Sequence, residues 1–126
     1  VDGAAPEELT MAVYVDDMHT DAMGQYRGMK MSHMIADTDE ELHAMADRIG
    51  VQRRWFQHPG TPGRHYDIAL SKRALAVAAG AVQITMRQAA AMVSRRRITG
   101  ELGKPEDALT WLGVWRDRRR TEKETP

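Results

Sequence analysis

The sequence predicts a small three-layer, Rossmann-like α/β domain with a short, mainly parallel sheet of about three strands and an added C-terminal helix. Three observations carry that expectation. Short strand-like segments with β-branched or aromatic residues recur at 11–15, 51–57 and 81–85. Segments with helical spacing alternate with them, and the order β-α-β-α-β-α favours parallel strands joined by right-handed crossovers. The 126 residues suffice for one core and are too few for two independent ones.

Residues 1–10, VDGAAPEELT, are small and acidic and read as a disordered lead-in. The chain opens on Val1, so either an alternative start codon there or a true start at Met11 fits. The α/β domain is expected over 11–99. Met11 to Val15 is an apolar run ended by Asp16-Asp17, which suits a buried strand. Residues 18–37 are methionine-rich and without a period, and read as a long loop of the kind that is usually functional or mobile.

Thr38-x-x-Glu41 forms a capping box ahead of Leu42, Met45, Ala46 and Ile49, and Gly50 closes that helix. Val51 to Gln57 reads as the second strand and His58 to Arg64, HPGTPGR, as a turn-rich loop. Ser71 can cap a helix through Gly80, residues 81–85 make the third strand, and 86–97 return to helical spacing at Ala89, Met92 and Val93. The last helix, within 100–120, starts at Pro105 and puts Ala108, Trp111, Leu112 and Trp115 on one face before the basic end Arg116 to Arg120. That face is expected to dock on the core, with a homo-oligomer through Trp111 and Trp115 as the alternative. Residues 121–126 read as a disordered tail.

The 18 basic and 18 acidic residues cancel, so no global field recruits nucleic acid or an anionic membrane. Without cysteine there are no disulfides, thiolate metal sites or cysteine nucleophiles. No apolar run nears the ~20 residues that span a bilayer, and the N-terminus lacks a secretory pattern, so a cytoplasmic location with no membrane partner is expected.

Ligands of open parallel sheets bind beyond the carboxyl ends of the strands, and the loops there deliver an unusual polar set: Asp16, His33, Asp37, His65, Tyr66 and Asp67. Two imidazoles and a carboxylate can bind a divalent metal or perform acid–base work, since histidine titrates near neutrality. Asp16, His33, His65 and Asp67 are therefore the metal candidates. Asp16 resembles strand-end carboxylates that hold Mg²⁺ against phosphate. Tyr66 offers a hydroxyl, and Asp37 can equally cap the helix. His43, about 100° from Leu42 on its helix, reads as a packed or solvated residue. The methionines of 18–34 read as an adaptable lid rather than a copper site. Arg54 and Arg87 are candidates for binding an anionic substrate.

Taken together, VYVDDM, SHMIADTDEELHAMADRIG, HYDI and SKRALAVAAGAVQIT resemble, over about 11–88, the bacterial and phage family catalogued as domain of unknown function 4031. The resemblance implies that Asp16, Ser32-His33 with Asp37, Glu41-Leu42-His43, His65-Tyr66-Asp67 and Gly80-Ala81 belong to the family's shared segments. It implies no activity. The HPGTPGR insertion and the C-terminal helix depart from the family pattern. The function expected is that of a metal- or acid–base-dependent enzyme, a phosphoesterase-like hydrolase, acting on a nucleotide or nucleic acid. The alternative is a non-catalytic accessory module that binds a nucleotide or a protein.

Overall fold

Antiparallel pairing organises the sheet in the computed structural model, which describes residues 12–124. β1 (Val13–Val15) pairs antiparallel with β3 (Met29–Ala36) and parallel with β5 (Val82–Gln83). β3 also pairs antiparallel with β2 (Gln25–Tyr26) and with β4 (Tyr66–Ala69). This 5-stranded sheet, in which only β1 and β5 run parallel, overturns the expected three-stranded, mainly parallel Rossmann-like layer. The expected lead-in, 1–10, lies outside the described residues.

The difference arises in the segment 18–37. Arg27 and Gly28 have φ of 50° and 81°, the left-handed pair that joins two strands in a tight primed turn. The turn folds Tyr26 against Met29 and launches β3, the longest strand. The second half of β3 is buried on both faces, so it lacks the polar–apolar alternation that announces a half-exposed strand. Conversely, the aromatic text at 51–57 forms a 3-10 turn, Arg53–Trp55, with Trp55 exposed, and only Gln57 pairs, in an isolated bridge to His65.

The helices follow local chemistry. α1 (Asp39–Ile49) starts where Thr38 Oγ1 accepts the Glu41 N–H at 3.2 Å and stops at Gly50, whose φ of 81° only glycine adopts without strain. α2 (Leu70–Ala78) follows β4 directly, so Ser71 lies inside its first turn rather than capping it. α3 (Met86–Thr99) carries a full Thr85–Gln88 capping box, and Asp17 Oδ1 accepts the Met86 N–H at 2.8 Å. α4 (Pro105–Glu124) begins as expected and stays helical past Arg120 through Glu124.

Alternate side chains of the sheet feed two cores. Val13, Val15, Met34, Tyr66 and Ile68 pack with Leu42, Ala46 and Ile49 of α1 and Ala76 of α2. On the other face, Tyr14 and Ile35 pack with Ala89, Ala91 and Met92 of α3 and Ala108 and Leu112 of α4. Full burial of such side chains is worth about 1.5–3 kcal/mol each. Helices thus cover both faces, and the second face holds the polar cluster described next.

Candidate metal centre

Strand register builds the centre. In the β3–β4 ladder His33 lies directly opposite Asp67. His65 precedes Asp67 by two residues and so points to the same side, away from Tyr66 and Ile68. The backbone of His65 is pinned to Gln57 by bonds of 2.9 and 3.1 Å.

Each of the two imidazoles has one nitrogen already committed. His33 Nδ1 lies 2.7 Å from Asp16 Oδ2, and an ionised carboxylate accepts only, which assigns the proton to Nδ1. Asp16 is buried, and its Oδ1 accepts the N–H groups of His33 at 2.9 Å and Met18 at 3.1 Å. His65 Nδ1 donates to the Gly63 carbonyl at 2.8 Å. In the neutral rings both Nε2 atoms therefore present lone pairs. They converge on Asp67 Oδ1, at 3.7 Å from His33 and 3.2 Å from His65.

Asp67 Oδ2 accepts from Gln57 Nε2 at 2.8 Å, whereas Oδ1 is buried and, while His65 Nε2 carries no proton, has no hydrogen-bond partner among the described residues. Leaving such an acceptor unsatisfied costs about 1–3 kcal/mol. Three lone-pair donors that face one another need a cation or a proton between them. One ligand atom from each of His33, His65 and Asp67 lies within 4.8 Å of the others. Bonds of ~2 Å to one ion call for ligand separations of about 3–4 Å, close to those seen.

The electrostatics agree with that competition. Burial pushes the His65 pKa down, but the Asp67 carboxylate and the Gly63 carbonyl outweigh it and hold His65 above its usual value. Burial would raise Asp67, and His65 with Gln57 keeps it below the ordinary carboxylate range. Burial would likewise raise Asp16, and the His33 ring with two backbone N–H groups keeps it low. A second proton on His65 and a metal thus contend for the same space.

An open cleft of about 840 Å³ lies over the centre, between the sheet and α3, and His33 and His65 line its floor. His58 lines it too, at a left-handed φ of 56°, with its ring stacked on His65 at a centroid distance of 5.7 Å.

The other residues expected in the site have separate places. Asp16 is bonded to His33 and lines the same cleft, but it is not one of the three converging ligands. Asp37 Oδ2 accepts the Ala12 N–H at 2.9 Å, and burial together with Asp37 pushes the Tyr14 hydroxyl up to about 12. Tyr66 is fully buried on the opposite face, its hydroxyl bonded to His43 Nδ1 at 2.7 Å. Arg54 lies over the exposed Trp55 ring at 4.9 Å, and Arg87 is exposed; neither lines the cleft.

Sequence reasoning missed Gln57, Gly63, His58 and Arg96. Arg96 is buried, and its guanidinium donates to Pro62 O at 2.9 and 2.8 Å and to Ala36 O at 2.9 Å. It locks onto α3 the loop whose Gly63 carbonyl orients His65. Burial, with Arg64 nearby, lowers its pKa to about 10. The H-x-D spacing of His65 and Asp67 was the one signal that a strand would put both side chains on one face.

Residues 13–96, two thirds of the chain, match the model of the family described as protein of unknown function (DUF4031). No curated protein and no solved structure matches the chain.

Proposed function

We propose that this chain, which belongs to the DUF4031 family, holds one divalent transition-metal ion on His33, His65 and Asp67 and hydrolyses a phosphate-containing substrate there. The observation that carries the proposal is the convergence of two oriented imidazole nitrogens on a buried carboxylate oxygen that, among the described residues, has no hydrogen-bond donor other than a second proton on those rings. Metal-binding histidines as a rule donate their other ring N–H to a carboxylate or a backbone carbonyl, and here Asp16 and Gly63 take those roles. Imidazole with carboxylate suits zinc, iron, manganese or cobalt better than calcium.

Such an ion, when bound, lowers the pKa of water toward neutrality and polarises a phosphoryl oxygen. The chain's own part is to keep His33 and His65 in the tautomer that leaves Nε2 free and to hold Asp67 ionised. All three ligands come from the sheet side, while the cleft side stays open, which favours a catalytic site over a closed structural one. Arg97 on the cleft wall supports an anionic substrate. The homo-oligomer through α4 draws less support. Trp111 and Trp115 pack within their own chain, and Arg95 and Arg119 lie over the two rings at 4.8 and 5.4 Å.

Cobalt(II) absorption and turnover of bis(4-nitrophenyl) phosphate test the proposal together. Visible bands of a low-coordinate cobalt site and metal-dependent turnover are expected in the wild type and absent in His65→Ala. Metal binding without turnover of this or any other phosphate ester would replace the hydrolase by the non-catalytic binding module. Absence of both signals would sink the metal reading.

A further inference from the structure

α4 outruns the core it packs on. Ala108 and Leu112 are buried and Trp111 and Trp115 half-buried, but every residue of 116–124 is exposed, a helical extension of about 13 Å that buries no side chain. Its charges are sorted by side. At about 100° per residue, Arg116, Arg119, Arg120 and Lys123 fall within roughly 100° of one another, and the acids Asp117, Glu122 and Glu124 fall outside that sector. Arg119 and Lys123 continue the stripe of Ala108, Leu112 and Trp115, so the docking side of the helix turns from apolar to cationic where the core ends.

The four cations line one shared hollow of about 380 Å³ against Trp115. Arg119 lies over the Trp115 ring at 5.4 Å, and Arg120 pairs with Asp117 at 3.2 Å. Arg116 and Lys123 have no ion pair or hydrogen bond among the described residues. Complementing the helix dipole calls for cations in the last turn only, on any side, and accounts for Lys123 alone. A membrane surface takes apolar side chains beside the basic ones, and a protein partner takes an aromatic or apolar centre. The extension offers neither along 116–124. A nucleic-acid backbone asks only for closely spaced cations.

We infer that this face of α4 binds the phosphate backbone of a nucleic acid without reading its bases. The equal totals of acid and base in the chain conceal the patch, because the compensating carboxylates of the extension lie on its other sides. The inference needs no part of the metal-centre reading, since none of these residues lines the cleft.

Fluorescence anisotropy of a labelled DNA duplex, repeated on a duplex of scrambled sequence, tests the surface in metal-free protein. Wild type should bind both duplexes alike and lose about a hundredfold in affinity between about 50 and about 200 mM salt, as neutralising about four phosphates requires. The triple variant Arg116→Gln, Arg119→Gln, Lys123→Gln should bind more weakly and lose only about threefold over the same range. Lys123→Gln alone, at the exposed end of the helix, should lower the salt slope by about one. A control with the same loss of charge on exposed residues elsewhere, Lys30→Gln, Arg48→Gln, Arg54→Gln, should match wild type. No binding by wild type at the lower salt, or equal binding by wild type and the α4 variants, would overturn the inference. An equal loss in the control would assign the effect to whole-molecule charge, and a preference for one sequence would overturn backbone-only contact. Phosphatidylserine vesicles bound as tightly as DNA would replace the nucleic acid by a membrane.

Discussion

His33 and Asp67 are register partners across the β3–β4 ladder, and His33 Nε2 stands 3.7 Å from Asp67 Oδ1. That distance is too long for a hydrogen bond and short enough for both atoms to bind one ion. Antiparallel pairing brings two residues far apart in the chain face to face, and His65 joins them from the position just before β4, two residues ahead of Asp67.

Asp16 governs this geometry from behind. Asp16→Asn keeps the shape but loses the charge that fixes the proton on His33 Nδ1. Metal affinity should weaken by about 10–100-fold, as removal of an outer-shell partner typically does, while the protein stays folded. Calorimetric titration with zinc, paired with a thermal melt, checks both halves. Unchanged affinity in a folded variant would remove Asp16 from the centre.

Stability of the metal-free protein should depend on pH in two windows. Asp16 and Asp67 are held below their ordinary 3.8, so their contribution is present above that value and is lost as pH falls through their lower folded values. His65 is held above its ordinary 6.5, so its contribution is complete below 6.5 and disappears as pH rises through its folded value. Melting temperature in a chelator should therefore decline from mildly acidic to alkaline pH, apart from an acid collapse. Adding zinc should reverse the alkaline decline, because the ion replaces the second proton of His65. A zinc-induced gain that shrinks with rising pH across this window would contradict the competition.

Arg96 should be indispensable to the loop. Arg96→Met strands two backbone carbonyls and is expected to cost about 2–6 kcal/mol, given about 1–3 kcal/mol per stranded group. Arg96→Lys should recover only part of this, because one ammonium cannot reproduce a fork that spans both carbonyls. Urea unfolding measures the loss, and full recovery in the lysine variant would show that charge alone suffices.

The parts of the molecule legible in the sequence are those governed by nearby residues. Thr38 with Glu41, Gly50 and Pro105 mark helix ends through contacts within one turn, and the structure has those ends. β3 escaped because its identity is tertiary: burial on both faces erased its alternation, and methionines filled it. The turn that starts it is set by Arg27 and Gly28, a weaker pair than Asn-Gly. The site residues His33, His65 and Asp67 were found through the wrong topology. They meet on the face of an antiparallel ladder rather than beyond parallel strand ends. Gln57 and Gly63 were invisible because their roles follow from an isolated bridge and one carbonyl, which no residue type announces.

Tyr66 separates core from site. Tyr66→Phe removes the 2.7 Å bond to His43 and should cost about 1 kcal/mol of stability. Zinc affinity should be unchanged, since the ring faces the core shared with α1. A marked loss of zinc affinity would return the tyrosine to the site.

Zinc titration of the metal-free wild type beside Asp67→Asn and His65→Ala addresses the metal centre most directly. One ion per chain is expected in the wild type, released by chelator, with binding in each variant weaker by roughly a hundredfold, the upper end of what loss of an outer-shell partner causes. No stoichiometric binding in the wild type, or equal binding in all three proteins, would contradict it.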